Sequence, residues 1–108
     1  MDNNENAIVI DLSADRQNLL TESWLVSFGS AIKGILSHMF SGVEIPVTVK
    51  GTPSEIRAFA KTLERERRFI DAFSKHGLND PKTHQSKHRL KDAVANFENE
   101  TGLKWPFK

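Results

Sequence analysis

Apolar side chains recur at Leu20, Trp24, Phe28, Ile32, Ile35 and Met39, a spacing of three to four that predicts one face of a helix over about residues 16–41. Thr21 and Glu22 offer an alternative start, and Gly42 closes the run, as a glycine does where the chain must turn left-handed. The period then shortens. Ile45, Val47 and Val49 alternate with polar neighbours, which predicts a half-buried strand over residues 44–50. Pro46, unable to donate to a ladder, puts that strand near a sheet edge.

The clearest boundary is Thr52-Pro53-Ser54-Glu55: a capping hydroxyl, proline at the first helical position and a glutamate three residues past the cap. A second helix follows, carrying Ile56, Phe59, Leu63, Ile70 and Phe73 inward as far as about His76, with Gly77 as its stop. Asn79-Asp80-Pro81 is a turn or a new cap, and Leu90, Val94 and Phe97 continue a third helix that ends at Gly102. Leu103 folds back onto it. Upstream, residues 7–12 are short and rich in β-branched side chains, the pattern of an extended arm or edge strand. At the far end Trp105 and Phe107 place two large aromatics where fraying is the default, so something is expected to hold them.

The architecture expected is α+β and mostly helical: an N-terminal arm or strand, a long apolar helix, a short strand that can pair with the first, and two further helices. A chain of 108 residues fits one core. The expected division is a flexible acidic arm with a short strand over residues 1–15 and one helix-rich domain over residues 16–108. The chain has no cysteine, which excludes disulfides, thiolate nucleophiles and cysteine-based zinc sites and fits a reducing compartment. Its first residues lack the basic start and apolar core of a secretory signal. The apolar run from Trp24 to Leu36, interrupted by Lys33, falls short of the ~20 residues needed to span a bilayer. Burial in the core or in a homomeric interface is the expected fate of this helix, with a membrane surface as the alternative. Ser27, Ala31 and Gly34 leave a small-residue groove along it.

Charge changes the picture more than its total of +1 suggests. Residues 1–22 carry five acids against Arg16 alone, whereas residues 57–91 carry ten Lys/Arg against four acids. Projected at ~100° per residue, Arg57, Lys61, Arg65, Arg68 and Lys75 share the side of the second helix opposite its apolar face. Lys82, Lys87, Arg89 and Lys91 extend the basic region, and together these nine residues form a candidate polyanion site. The competing reading is a solvated face on which Glu64 and Arg68, or Asp71 and Lys75, pair at four-residue spacing. Stacking aromatics are not interleaved with these cations, so contact would be with phosphates and sequence-independent.

Asp80, His84, His88 and Asp92 are spaced four apart and would line one face of a continuous helix. His84 and His88 are therefore weak candidate metal ligands, and no metal or other cofactor is expected. No nucleophile-elbow glycine pattern accompanies the serines. Glu66 projects into the apolar arc near Phe59, Ile70 and Phe73, and pairing with a basic residue is the expected explanation. His38 and His76, near helix ends, are expected to meet helix carbonyls.

The ordered string Thr21-Glu22-Ser23-Trp24-Leu25, then Ile45 through Thr52, then Phe97-Glu98-Asn99-Glu100-Thr101-Gly102-Leu103-Lys104-Trp105-Pro106-Phe107 resembles small uncharacterised proteins of tailed bacteriophages over about residues 20–108. The resemblance implies a protein made in the cytoplasm of a bacterial host and either built into the virion or used during infection. It brings no catalytic residues. The function expected is non-enzymatic assembly through homo-oligomerisation or docking on other subunits, with Ile8, Val9, Ile10, Trp24, Phe28, Ile32, Trp105 and Phe107 as the interface. The alternative is a nucleic-acid-binding accessory protein that uses the basic stripe.

Overall fold

A computed structural model describes residues 7–107. Along the chain run β1 (Ile8–Asp11), α1 (Glu22–Ser41), β2 (Val47–Lys50), α2 (Pro53–His76) and α3 (Pro81–Thr101). The fold is α+β and mostly helical, as expected. β1 and β2 form a two-stranded parallel sheet in which Ile8 pairs with Val47 and Ile10 with Val49. Helix α1 makes the crossover between them.

Local chemistry sets most boundaries. Thr52 caps α2 through a reciprocal box: the Glu55 N–H donates to Thr52 Oγ1 at 3.1 Å, and the Thr52 N–H donates to Glu55 Oε1 at 2.9 Å. That satisfies two donors the first turn leaves orphaned. Asp80 caps α3 by accepting from the Lys82 N–H at 2.8 Å. Helix α1 begins at Glu22, six residues later than the longer of the two expected starts. The segment before it folds instead as a turn in which the Leu19 N–H donates to Ala14 O at 2.9 Å. Asn18 there takes a left-handed φ of 56°, and Thr21 accepts from the Trp24 N–H at 3.1 Å as the cap. Strand β2 is likewise confined to Val47–Lys50, because Pro46 stands at its mouth.

Helices α2 and α3 make the principal helix–helix contact, and α1 touches α2 only sparsely. Two buried threonines fasten the α2–α3 pair. Thr62 Oγ1 lies 2.8 Å from Ala58 O and 3.1 Å from Ala93 O, so one hydroxyl serves both helices. Thr83 Oγ1 donates to Ala72 O at 3.2 Å. The core gathers Phe28, Ile32, Ile35 and Leu36 of α1, Phe59 of α2, Phe97 of α3, and Leu103 and Trp105 of the tail. Trp105 stands edge-on to Phe97 at 5.3 Å and to Phe28 at 6.5 Å.

Ile10, Leu12 and Ala14 belong to that same core, which corrects the division at residue 15. The described part of the expected arm is integral to the domain, because β2 supplies its hydrogen-bonding partner and α1 its apolar floor. Residues 1–6 lie outside the described residues. The small-residue groove of α1 is occupied from within at Gly34, where a β-carbon would lie 3.3 Å from Ile8 Cδ1, while Ser27 is exposed. On another side of the helix a β-carbon at Gly29 would lie 3.6 Å from the Pro106 ring. The first strand and the C-terminal tail therefore both rest on α1 where its side chains are absent.

Candidate functional site

Four of the residues expected to face a partner face the interior. Ile10, Phe28, Ile32 and Trp105 are buried in the chain's own core, Ile8, Trp24 and Phe107 pack against it half-buried, and Val9 is exposed. The correction has a simple cause. The apolar period of α1 does mark its core-facing side, but with α2 and α3 in the same chain that face needs no second molecule.

Exposed apolar side chains stand instead at the two ends of α1 and, with Phe73 and Leu78, at the end of α2. Leu19, Leu20, Leu25 and Val26 stand at the start of α1; Met39, Phe40, Val43 and Val47 stand at its end. Met39, Val43 and Val47 border a cleft of about 420 Å³ between the last turns of α1 and strand β2, lined with them by Ile35, His38 and Ile45, whereas Phe40 faces α2 beside Arg67 and Arg68. His38 Nδ1 is buried there without a hydrogen-bond partner among the described residues. The interaction expected between that histidine and the helix carbonyls is thus not made through Nδ1; the last-turn carbonyl, His38 O, accepts from the Gly42 N–H at 3.0 Å. Strand β2 pairs with β1 along one side only, and Val47, Thr48 and Lys50 are exposed.

Seven of the nine stripe residues fall into three sets, with Arg57 and Lys82 apart from them. Lys61 and Arg65 of α2 meet Arg89 of α3 around a cleft of about 190 Å³ that also holds Asp92 and Asn96. None of these three cations forms an ion pair among the described residues. Arg68 and Lys75 turn towards the end of α1 and pair with Glu64 at 3.7 Å and Asp71 at 3.4 Å, as the solvated-face reading expects. Lys87 and Lys91 line a cleft on the other flank of α3, above Phe69, Leu90, Val94 and Phe107. Arg57 and Lys82 are exposed in the first turns of their helices. A projection of α2 alone shows the first set only in part, because the helix that completes it is α3.

His84 and His88 are exposed on α3, and His88 Nε2 lies 3.8 Å from Asp92 Oδ2. Asp80 is occupied as the α3 cap, and among the described residues no three His, Asp or Glu side chains gather as a metal would require. No described helix is long and apolar enough to cross a membrane.

Glu66 is buried, as the projection implied, but its partner is not basic. The Trp105 indole Nε1–H donates to Glu66 Oε1 at 2.9 Å. Burial raises the pKa of this carboxyl above the ordinary glutamate value, and the indole hydrogen bond offsets only part of that effect. A carboxyl shifted in this direction contributes stability that is fully present below its unfolded pKa and lost as pH rises through the folded one. Glu66→Gln, which keeps an acceptor for Trp105, is accordingly expected to be more stable than the parent at pH 7 by about 1 kcal/mol. The gap should close below about pH 4. Denaturant titrations across that range check it, and parallel curves for the two proteins would refute it.

No family model, curated protein or solved structure matches the chain. The surfaces therefore speak through their own chemistry. One is an uncovered strand edge beside apolar side chains, and the other is a small basic cleft.

Proposed function

We propose that this chain is a non-enzymatic association protein whose contact surface is the free edge of β2 together with the apolar end of α1. The observation that carries this reading is the coincidence of the two features. Unpaired strand edges are usually kept short, charged or covered. Here the edge borders Met39, Val43 and Val47, all exposed. A clustered apolar patch beside an open edge is what strand addition uses, with the backbone supplying hydrogen bonds and the side chains supplying burial. The resemblance to tailed-phage proteins fits such a role, either in the virion or in the host cytoplasm during infection.

Replacing Met39 and Val43 together by lysine tests the reading, because both side chains are exposed and line that cleft, outside the core. The parent chain is expected to run in size-exclusion chromatography with light scattering as an oligomer whose mass is the same at low and high salt. The double variant is expected to be shifted towards the mass of one chain. An unchanged oligomer would remove this surface from consideration.

A second reading rests on Lys61, Arg65 and Arg89, whose convergence on one cleft gives a phosphate three cations from two helices. Asp92 in the same cleft opposes it. If the cleft contacts nucleic acid, Arg65→Glu with Arg89→Glu should weaken binding of every sequence alike. It should also flatten the dependence of log K on log salt by about two phosphate contacts. Fluorescence anisotropy with two unrelated duplexes measures both effects.

A further inference from the structure

The free edge of β2 has a hydrogen-bonding phase that its backbone contacts fix. The Ile8 N–H donates to Pro46 O at 2.9 Å and the Leu12 N–H donates to Lys50 O at 2.7 Å. The register sets Ile8 beside Val47 and Ile10 beside Val49. In a parallel ladder of this phase the backbone groups of Pro46, Thr48 and Lys50 point at β1, and those of Val47 and Val49 point away. The donor that Pro46 lacks therefore belongs to the β1 side, and the outer edge keeps its full set. Continued back to Ile45, the outer edge offers the N–H and C=O of every second residue.

We propose that this edge pairs with the same edge of a second copy, antiparallel about a two-fold axis at Val47, giving a four-stranded sheet with β1 on each flank. This rests on the association reading above and names the partner. The charges select both the partner and the register. With Val47 opposite the second copy's Val47, Ile45 falls opposite its Val49, and Glu44 falls opposite its Lys50. Each copy thus brings one acid and one base to the positions where the other has the reverse, an arrangement that a self-complementary two-fold contact requires. Asp11 already stands in register with Lys50 inside the chain, so the outward face of the joined sheet would read acid, base, acid across three neighbouring strands. Shifting the axis to Thr48 would set Lys50 against Pro46 and forfeit the match. On the inward face, Ile45 and Val47 of the second strand come to lie over the cleft at the end of α1, beside Met39 and Val43.

The absence of cysteine from the chain permits a direct test. Directly opposed residues in a hydrogen-bonded antiparallel pair have α-carbons about 5.5 Å apart, within the ~4.4–6.8 Å that a disulfide accepts. Val47→Cys in the full chain, mildly oxidised, should give a covalent dimer that a reductant reverses, whereas Thr48→Cys should give little. Both side chains are exposed, so circular dichroism is expected to be that of the parent. In parallel, Glu44→Lys and Lys50→Glu should each weaken self-association about tenfold, and mixing the two variants should restore it as a heterodimer. A dimer that forms normally, but that shows neither a disulfide in the Val47→Cys variant nor recovery in the charge-swapped mixture, would overturn the β2 pairing and leave association through the apolar end of α1 standing. Preferential crosslinking of the Thr48→Cys variant would overturn the Val47 axis. A chain that stays monomeric at all concentrations would overturn both this pairing and the association reading on which it rests.

Discussion

Trp105→Ala is expected to lower the free energy of unfolding by about 3–5 kcal/mol, the usual cost of removing a fully packed large aromatic. The residue stands three positions from the last in the chain, yet it is only 3% exposed. Its ring lies within 6.5 Å of Phe28, Phe59, Phe97 and Phe107, so the cavity left behind would open onto all three helices. One polar group would lose its partner as well, because the Trp105 Nε1–H is the donor to buried Glu66. The backbone N–H of residue 105, which donates to Glu98 Oε2 at 2.9 Å and holds the tail on α3, is kept by alanine. Against a typical total of ~5–15 kcal/mol such a loss is severe. Urea titration followed by far-ultraviolet circular dichroism measures it. A change under about 1 kcal/mol would mean that the tail is not part of the cooperative core.

Glu55→Ala is the second substitution expected to act strongly, at about 2–3 kcal/mol from the combined loss of a cap and a charged hydrogen bond. Glu55 is 4% exposed and does two things at once. It completes the box that starts α2, and its other carboxylate oxygen accepts from Arg16 Nη1, joining the turn after β1 to the head of that helix. Burial alone would raise its pKa, but the Thr52 N–H and the Arg16 guanidinium outweigh burial and hold the carboxyl below the ordinary glutamate value. The stability this brings is present above the unfolded pKa and lost as pH falls through the folded one. Asp11, also held low by the hydroxyl and N–H of Ser13, acts in the same direction. Unfolding at pH 7 and pH 3 therefore separates the contributions: Glu55→Ala should differ from the parent most at pH 7 and least at pH 3. A difference that stays constant would assign the effect to packing rather than to charge.

How far the sequence discloses the molecule depends on the range of the forces concerned. The head of α2 and the stop at Gly77 are legible because a capping box and a terminal glycine act over four residues. The start of α1 is blurred because Leu19 and Leu20 continue the apolar period into a segment that the Ala14–Leu19 turn holds outside the helix. The strand character of residues 8–11 is readable from β-branching, and so is a pairing with the strand beyond α1, which the structure has. The burial that this pairing gives Ile10 is not readable, because an arm reading leaves the same residue turned outward. Glu66 is visibly misplaced for a solvent-facing residue, yet Trp105 sits in an irregular tail that no helical projection can aim. The candidate contact surface escapes the sequence for a related reason. Met39 continues the core stripe by its spacing, and Val43 follows the helix stop, where periodicity ceases to say which way a side chain points. Apolar residues on both sides of a terminal glycine are the available signal.

The resting of both Ile8 and Pro106 on side-chain-free notches of α1 has a consequence for the order of assembly. The α2–α3 hairpin is local and can close early. The β1–β2 ladder must bring residue 8 to residue 47, and the tail must return to a helix near the opposite end of the chain, both at a larger entropic charge for loop closure. Helix α1 is consequently a clasped element. Besides its aromatic contacts with α2 and α3, it is gripped by a residue from each side of the sequence, so release of either β1 or the tail is expected to loosen the same helix.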